Sequence, residues 1–312
     1  MAIDLKKIKT YSLRKRKSKV ILKDFAGLGN KNSSFLNFYN SLPDILAVRN
    51  LKYVVNAIIA ARKKKKPVIF MMGAHVIKCG LNPVIIDLLK RNVVTCLAFN
   101  GAGIIHDFEL SYCGRTSEDV AEALRTGSFG MSKETADFLN HAVSDGWRSG
   151  LGIGEAVGKR MAQTKLPFKR YSLLYNAFKL KVPVTVHVAL GTDIIHQHHS
   201  CDGKAIGECS LRDFHKLSEI VMGLDNGGVL VNIGSAVMLP EVFLKALNLA
   251  RNLKRRISDF TVANFDMVYQ YRSCQNVVNR PPHGPKSKGC YIIGHHEIML
   301  PLLCQAIIEG IK

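Results

Sequence analysis

The sequence predicts an α/β protein in which one parallel sheet is flanked by helices. Short apolar runs rich in β-branched residues end in Gly or Asn, and stretches with helical spacing separate them. The runs are apolar throughout rather than alternating, as strands buried on both faces must be. Polar residues and glycines gather where the runs stop, the place where an open parallel sheet offers a ligand site.

The elements follow in order. Residues 1–40 form a basic extension that ends in a Gly/Asn/Ser-rich turn region (GLGNKNSS, 27–34), and residues 41–312 form one α/β domain. From Ser41 onward, LPDILAVRNLKYVVNAIIAARKK carries apolar residues at helical spacing. PVIFMMG (67–73) reads as the first strand, NPVIIDLLKRN (82–92) as a helix and VVTCLAFNG (93–101) as the second strand. KVPVTVHVAL (181–190) and GGVLVNIG (227–234) are the third and fourth, and TVANFDM ends a further strand near Asp266. SLRDFHKLSEIVMGL (210–224) reads as a helix with Ser210 as N-cap and Asp213 three residues on. PEVFLKALNLARNLK (240–254) reads as a helix with Pro240 at its first position. GLGIGEAVG (150–158) follows no clear strand and reads as the start of a helix.

Composition narrows the function classes. A chain of 312 residues with 47% hydrophobic content can bury a large core. No apolar run approaches the roughly 18 to 20 residues that span a bilayer, and the N-terminus lacks a secretory apolar stretch. A cytoplasmic protein with no membrane partner is the expectation. Eight cysteines occur without a CxxC pair, several in apolar stretches, which suits reduced structural thiols. The formal charge of +20 owes much to the runs at Lys6–Lys19 and Arg62–Lys66. Neither run has the interleaved aromatics of a base-stacking surface, so solvated faces are favoured over nucleic acid as a partner.

The strand ends hold the candidate chemistry. They carry Gly73-Ala74-His75, then Asn100-Gly101-Ala102-Gly103, then Gly191-Thr192-Asp193, then Asn232-Ile233-Gly234-Ser235. Glycine lets backbone approach a phosphate or ribose, and the following helix start supplies N–H donors. Four such tips in one chain point to a Rossmann-like crevice for a dinucleotide.

At these tips the chain resembles deoxyhypusine synthase. The likeness runs through GAHVIKCGLNPVIIDLLKRNVVTCLAFNGAGIIHDFE (73–109) and VGKRMAQTKLPFKRYSLLYNAFKLKVPVTVHVALGTD (157–193). It continues through DNGGVLVNIGSAVMLPEVFLKALNLAR (225–251) and YIIGHHEIMLPLL (291–303), about two thirds of the chain in all. That family binds NAD between subunits of a tetramer, oxidises spermidine and carries the aminobutyl group on an enzyme lysine to a translation factor. The resemblance implies an NAD-dependent, alkyl-transferring homotetramer with a polyamine or other small-molecule substrate. It implies NAD contact from Gly73, Ala74, His75, Asn100, Gly101, Ala102, Asp193, Gly234 and Ser235, and it places Asp107 at an acidic position of the second loop. Two features depart from the family. Its triple glycine followed by Lys-His-His is here Gly234-Ser235-Ala236 and Val237 to Glu241, without the histidines. Its nucleophilic lysine is matched by Arg280, and an arginine stays protonated and cannot form an imine. Lys286 and Lys288 lie a few residues downstream as alternatives.

The remaining candidates fit more than one reading. His106 and Asp107, with Glu109, follow the second glycine loop, where they suit amine binding or acid–base work and equally a helix N-terminal cluster. Asp193 is a further candidate for docking the substrate with His106 and Asp107, Glu155 and Glu241 are carboxylates that could point into a site, and Asp266, after a strand, is a candidate for cofactor contact. His196, His198, His295 and Glu297 allow a two-loop metal site, and thus a metal-dependent hydrolase or lyase, although no HExxH-type spacing supports it. A third reading is a non-catalytic nucleotide-binding assembly protein whose basic arm recruits a partner.

Overall fold

The structure, a computed structural model, describes residues 3–254 and 256–311. It consists of two compact units, Met1–Arg49 and Asn50–Lys312. The first unit holds single 3-10 turns at Leu5–Lys7, Leu13–Lys15 and Leu22–Asp24 and the helix α1 (Phe35–Ser41). The Ser34 hydroxyl caps α1 by accepting from the Asn37 N–H. Buried Asp24 accepts from the Ile21 N–H and pairs with Arg49 at 3.5 Å.

The chain then passes through α2 (Leu46–Lys63) to β1 (Val68–Met72), α3 (His75–Lys78), α4 (Asn82–Lys90), β2 (Cys96–Asn100) and α5 (Gly101–Cys113). Four helices follow: α6 (Val120–Thr126), α7 (Lys133–Arg148), α8 (Ile153–Gln163) and α9 (Leu173–Lys179). The rest is β3 (Val184–His187), α10 (Gly203–Met222), β4 (Val229–Ile233), α11 (Met238–Lys254), β5 (Thr261–Asp266), α12 (Tyr271–Ser273), β6 (Lys288–Ile293) and α13 (His296–Gly310).

The six strands are all parallel in the order β3-β2-β1-β4-β5-β6. This is the doubly wound Rossmann arrangement, and the chain reverses its direction across the sheet between β1 and β4. Ile69 pairs with Cys96 on one side and Leu230 on the other, so β1 lies at the centre of the core. Its five residues are buried, and on one face Ile69 and Met71 join Leu217 and Val221 of α10 and Leu239 and Phe243 of α11. Burial on both faces explains why these strands read as continuous apolar runs.

The strands β1 to β4 fall inside the predicted runs, one to three residues shorter at their ends, and β6 starts three residues before the YIIG segment. Two helix starts differ from the expectation. α10 begins seven residues before Ser210, capped by Asp202, and the Ser210 hydroxyl instead donates to the Val186 carbonyl. α11 begins at Met238, so Pro240 is its third residue, still within the turn whose N–H groups need no helical partner. All eight cysteines are free. Among the described residues no helix is long and apolar enough to cross a membrane.

Candidate functional site

The carboxyl ends of the strands bring the predicted cofactor residues to one edge of the sheet. Gly73, Ala74 and His75 follow β1, Gly234 and Ser235 follow β4, and these strands flank the reversal in strand order. Asn100, Gly101 and Ala102 belong to the neighbouring β2 tip, and Asp266 ends β5.

The glycines at these tips have an internal cause. A Cβ on Gly73 would lie 2.2 Å from the carbonyl oxygen of Gly234. Gly234 has φ +63° and would place a Cβ 2.6 Å from Nε2 of His296. On Gly101, a Cβ would lie 1.8 Å from Oδ2 of Asp193. The tips therefore knit to one another through backbone and buried polar groups, and the floor of the crevice is protein. Ser235 is turned inward as well: its hydroxyl accepts from the Leu239 N–H, and its carbonyl accepts from Asn232 and Ser273. Asn100 caps α5 by accepting from the Gly103 N–H.

Buried polar atoms without a partner gather at the same edge. Among the described residues they include Asp193 Oδ2, His196 Nε2, Asn232 Oδ1, Asn264 Nδ2 and His296 Nδ1, with Asn140 Oδ1 beside the β3 turn, where Asn140 donates to the Ile195 carbonyl, whereas Asn82 Oδ1 lies elsewhere, against Asp107. Unpaired buried groups are rare in folded proteins, and functional sites are one place that tolerates them. His296 was not a sequence candidate. It begins α13, its ring centroid is 5.8 Å from that of His75, and burial lowers its pKa.

Asp193 and His196 form the tip of β3. Nδ1 of His196 accepts from the Gly191 and Asp193 N–H groups at 3.1 and 3.3 Å, which puts the ring proton on Nε2. Nε2 is 4.0 Å from Asp193 Oδ2, beyond hydrogen-bond reach. Burial without a compensating donor raises the Asp193 pKa to about 6.

Next to this tip, α5 and α7 enclose a cavity of about 480 Å³ whose lining includes Ile194, His106 and Glu109. The Thr116 hydroxyl donates to Glu109 Oε2, so its oxygen accepts from His106 Nδ1 at 2.6 Å. That proton count leaves Nε2 of His106 as the basic nitrogen. Thr135 donates to the other oxygen of Glu109 at 3.2 Å. Burial opposes ionisation of Glu109, yet the nearby His106 ring at 3.8 Å and the hydroxyls of Thr116 and Thr135 together hold its pKa below the usual range. Glu118 and Glu134 add carboxylates to the lining, against the guanidinium of Arg115. The cavity is acidic although the chain as a whole carries +20. Ser117, beside Thr116, holds φ +70°, the left-handed region that a serine seldom adopts.

Asp107, Glu241 and Arg280 sit elsewhere, while Asp266 closes β5 at the crevice edge. Asp107 is fully buried behind α5, where it accepts from Ser172 and Asn82 and from the N–H groups of Leu173 and Leu174, capping α9. Its helical neighbour His106 faces the cavity because adjacent residues on a helix point in different directions. Glu241 ties α11 to the segment after β5, accepting from Lys245, Arg272 and Asn276. Asp266 is buried and accepts from the Met267 N–H at 2.8 Å. Arg280 donates to Asn276 and lies near the amino end of β6, because the Val278 carbonyl packs on Gly289, the second residue of that strand. The chain descends there to start β6, so Arg280 is not brought together with His106 and Asp193.

The metal reading is not supported. His196 and His198 follow β3, and His295 and Glu297 follow β6, at opposite edges of the sheet. Five strand spacings separate them, roughly 24 Å. Among the described residues no group of three or more His, Cys, Asp or Glu side chains could hold a metal ion.

The fold recurs in solved structures of other proteins. No protein-family model matches the sequence, and no curated protein is similar to it in sequence. The structure is similar to a putative deoxyhypusine synthase from Entamoeba histolytica, with TM-score 0.54, 12% identity and coverage of 90% of this chain and 95% of that one. It is also similar to AgrE, solved in a ternary complex with ornithine and NAD+, with TM-score 0.54, 12% identity and coverage of 84% and 33%. A third is ArgZ, an arginine dihydrolase of the ornithine–ammonia cycle in cyanobacteria, with TM-score 0.50, 14% identity and coverage of 83% and 31%. The chain spans about a third of the length of AgrE and ArgZ. At these identities the likeness establishes a shared fold.

Proposed function

We propose that the chain is a deoxyhypusine synthase-like, NAD-dependent enzyme that oxidises an amine or another small polar cation. The observation that carries this reading is the acidic cavity beside the β2 and β3 tips with its His106–Thr116–Glu109 relay; Ile194 lines it, and the buried carboxylate of the preceding Asp193 lies against Gly101 at the same tips. A cavity of this size, lined by carboxylates in a basic protein, suits a small cation.

The crevice at the reversal of strand order fits a dinucleotide in its donor set. Beside the Gly73 and Gly234 loops, the unpaired Asn232 Oδ1 is an acceptor suited to a ribose hydroxyl and Asn264 Nδ2 a donor suited to a phosphate oxygen, with His296 Nδ1 next to them. NAD, when bound, would take up the hydride from the carbon beside the substrate nitrogen. Asp193 would neutralise the substrate cation, and Nε2 of His106 would accept the proton that the nitrogen gives up. Glu109, through Thr116, would stabilise the imidazolium that forms. Transfer onto an enzyme lysine has no support in this arrangement, since Arg280 lies at the other end of the sheet. A tetramer remains part of the proposal only through the resemblance.

Titrating the purified protein with NAD in a calorimeter, then following NADH with spermidine, putrescine, ornithine and arginine, tests the reading. Nucleotide binding and NADH formation with an amine are expected. Silence at millimolar nucleotide, or binding without turnover of any amine, counts against it.

A further inference from the structure

We propose that the chain has a second ligand site, for a nucleotide-like anion, at the amino end of β3. A cavity of about 690 Å³ opens there, at the opposite end of the strand from Asp193. Its volume lies in the range of small-molecule sites, roughly 300 to 1,000 Å³.

The lining is divided by chemistry. Phe178, Pro183 and Val184 give an apolar floor, and Lys179, Lys181 and Lys216 supply the cations. Lys216 pairs with Glu219 at 3.3 Å, but neither Lys179 nor Lys181 has an acidic partner among the described residues. Arg212 is committed to the structure, donating to the Gly146, Trp147 and Leu151 carbonyls and to Glu208. Glu155 is the one exposed carboxylate in the lining. The other, Asp213, is buried and accepts from the Gly154 and Val186 N–H groups at 3.0 and 2.8 Å. The glycine-rich turn at 150–154 therefore does cradle a carboxyl group, but that group is the protein's own Asp213, whose pKa burial raises to about 7. An external anion must be held by the lysines.

Lys181 strengthens the case. It holds φ +57° just after α9, where its N–H bonds the Phe178 carbonyl and the Val182 N–H bonds that of Ala177. This is the Schellman arrangement, and its left-handed position favours glycine. A lysine kept there at a conformational cost, in the cavity lining and with no acidic partner among the described residues, fits a side chain retained for a ligand. A planar base on the apolar floor and phosphates at the two free lysines satisfy both halves of the lining.

The test uses the full chain and three probes, ATP, pyrophosphate and NAD, titrated by calorimetry. ATP is expected to bind at least tenfold tighter than pyrophosphate. Lys179→Glu and Lys181→Gly should each weaken ATP at least tenfold, with Tm unchanged for the first and unchanged or raised for the second. Charge reversal at Lys15 and Lys17 in the basic arm should leave ATP affinity as it was. NAD affinity should survive both cavity variants, which separates this site from the crevice. No ATP binding, pyrophosphate as tight as ATP, ATP affinity unmoved by Lys179→Glu, or loss that follows the arm variants would overturn the proposal.

Discussion

The carboxylate of Asp193 occupies the space that a side chain on Gly101 would need, with Oδ2 only 1.8 Å from where a Cβ would stand. Two strand tips are locked by this contact, because Gly101 opens the helix that presents His106. Gly101→Ala should push the Asp193 loop outward while the sheet stays folded. Overpacking of this kind costs about 1 to 3 kcal/mol. Urea unfolding should report that loss, and calorimetry with the amine substrate should report a far larger fall in affinity than in NAD affinity. Equal losses for both ligands would argue that Asp193 does not face the amine.

Asp193 also sets a pH signature. Its pKa is raised to about 6 by burial, whereas an unfolded aspartate titrates near about 3.9. The folded protein holds this proton more tightly, so the stability it contributes is whole below about pH 4 and is lost as pH rises through about 6. Amine binding has the opposite sign, since the cation needs the ionised carboxylate. Affinity should rise about tenfold per pH unit up to about pH 6 and then level off. Asp193→Asn should flatten that profile in titrations across this range, and a profile unchanged by the substitution would remove Asp193 from the site.

Thr116 has one proton, and spending it on Glu109 fixes the tautomer of His106. Thr116→Val keeps the shape and removes both bonds. Turnover should fall about tenfold to a hundredfold, as expected when a general base loses the group that orients it. Nitrogen NMR of the His106 ring separates this from a packing effect: wild type should show the proton on Nδ1, and the variant a mixture of tautomers. A ring protonated on Nε2 in the wild type would contradict the relay.

The sheet was legible because its strands are buried on both faces, and such strands announce themselves as unbroken apolar runs. Helix starts were less legible: Ser210 satisfies a capping pattern, but Asp202 lies at the true start and α10 simply runs through Ser210. At the site, His106 and Asp193 could be picked out by their place after glycine loops. Thr116 could not, since it is ten residues from His106 and reaches it only because Gly114 turns the chain at φ +74°. Neither could the fate of Asp107, which shares a sequence neighbourhood with His106 but is buried against the start of α9 instead of lining the cavity. Glycines were read as room for a phosphate, whereas the room at Gly73, Gly101 and Gly234 is filled by Gly234, Asp193 and His296.

Asp107 should behave as a structural residue. Its carboxylate takes Ser172, Asn82 and two backbone N–H groups at the start of α9, and all lie in a buried region. Removing it strands several donors, each costing about 1 to 3 kcal/mol. Asp107→Ala should lower stability by roughly 3 kcal/mol or more, measured by urea unfolding. Asn is the informative partner, since it keeps an acceptor and should recover part of the loss. If Asp107→Ala folded normally and lost only catalysis, the capping role would be wrong.

Arg280 tests whether lysine chemistry has been lost by substitution alone or by placement. If one substitution had switched off an otherwise intact site, Arg280→Lys would restore an amine able to form an imine. In this fold the residue stands near the amino end of β6, with its guanidinium on Asn276, while His106 and Asp193 lie at the carboxyl ends of β2 and β3. A lysine there would meet bulk solvent and keep its proton. Incubation of Arg280→Lys with spermidine and NAD, followed by borohydride, should therefore leave no labelled lysine, just as in the wild type. Label at the substituted position of the variant would show that this segment reaches the crevice in solution. Label on Lys286 or Lys288 of the wild type would instead assign the covalent step to the loop that leads into β6.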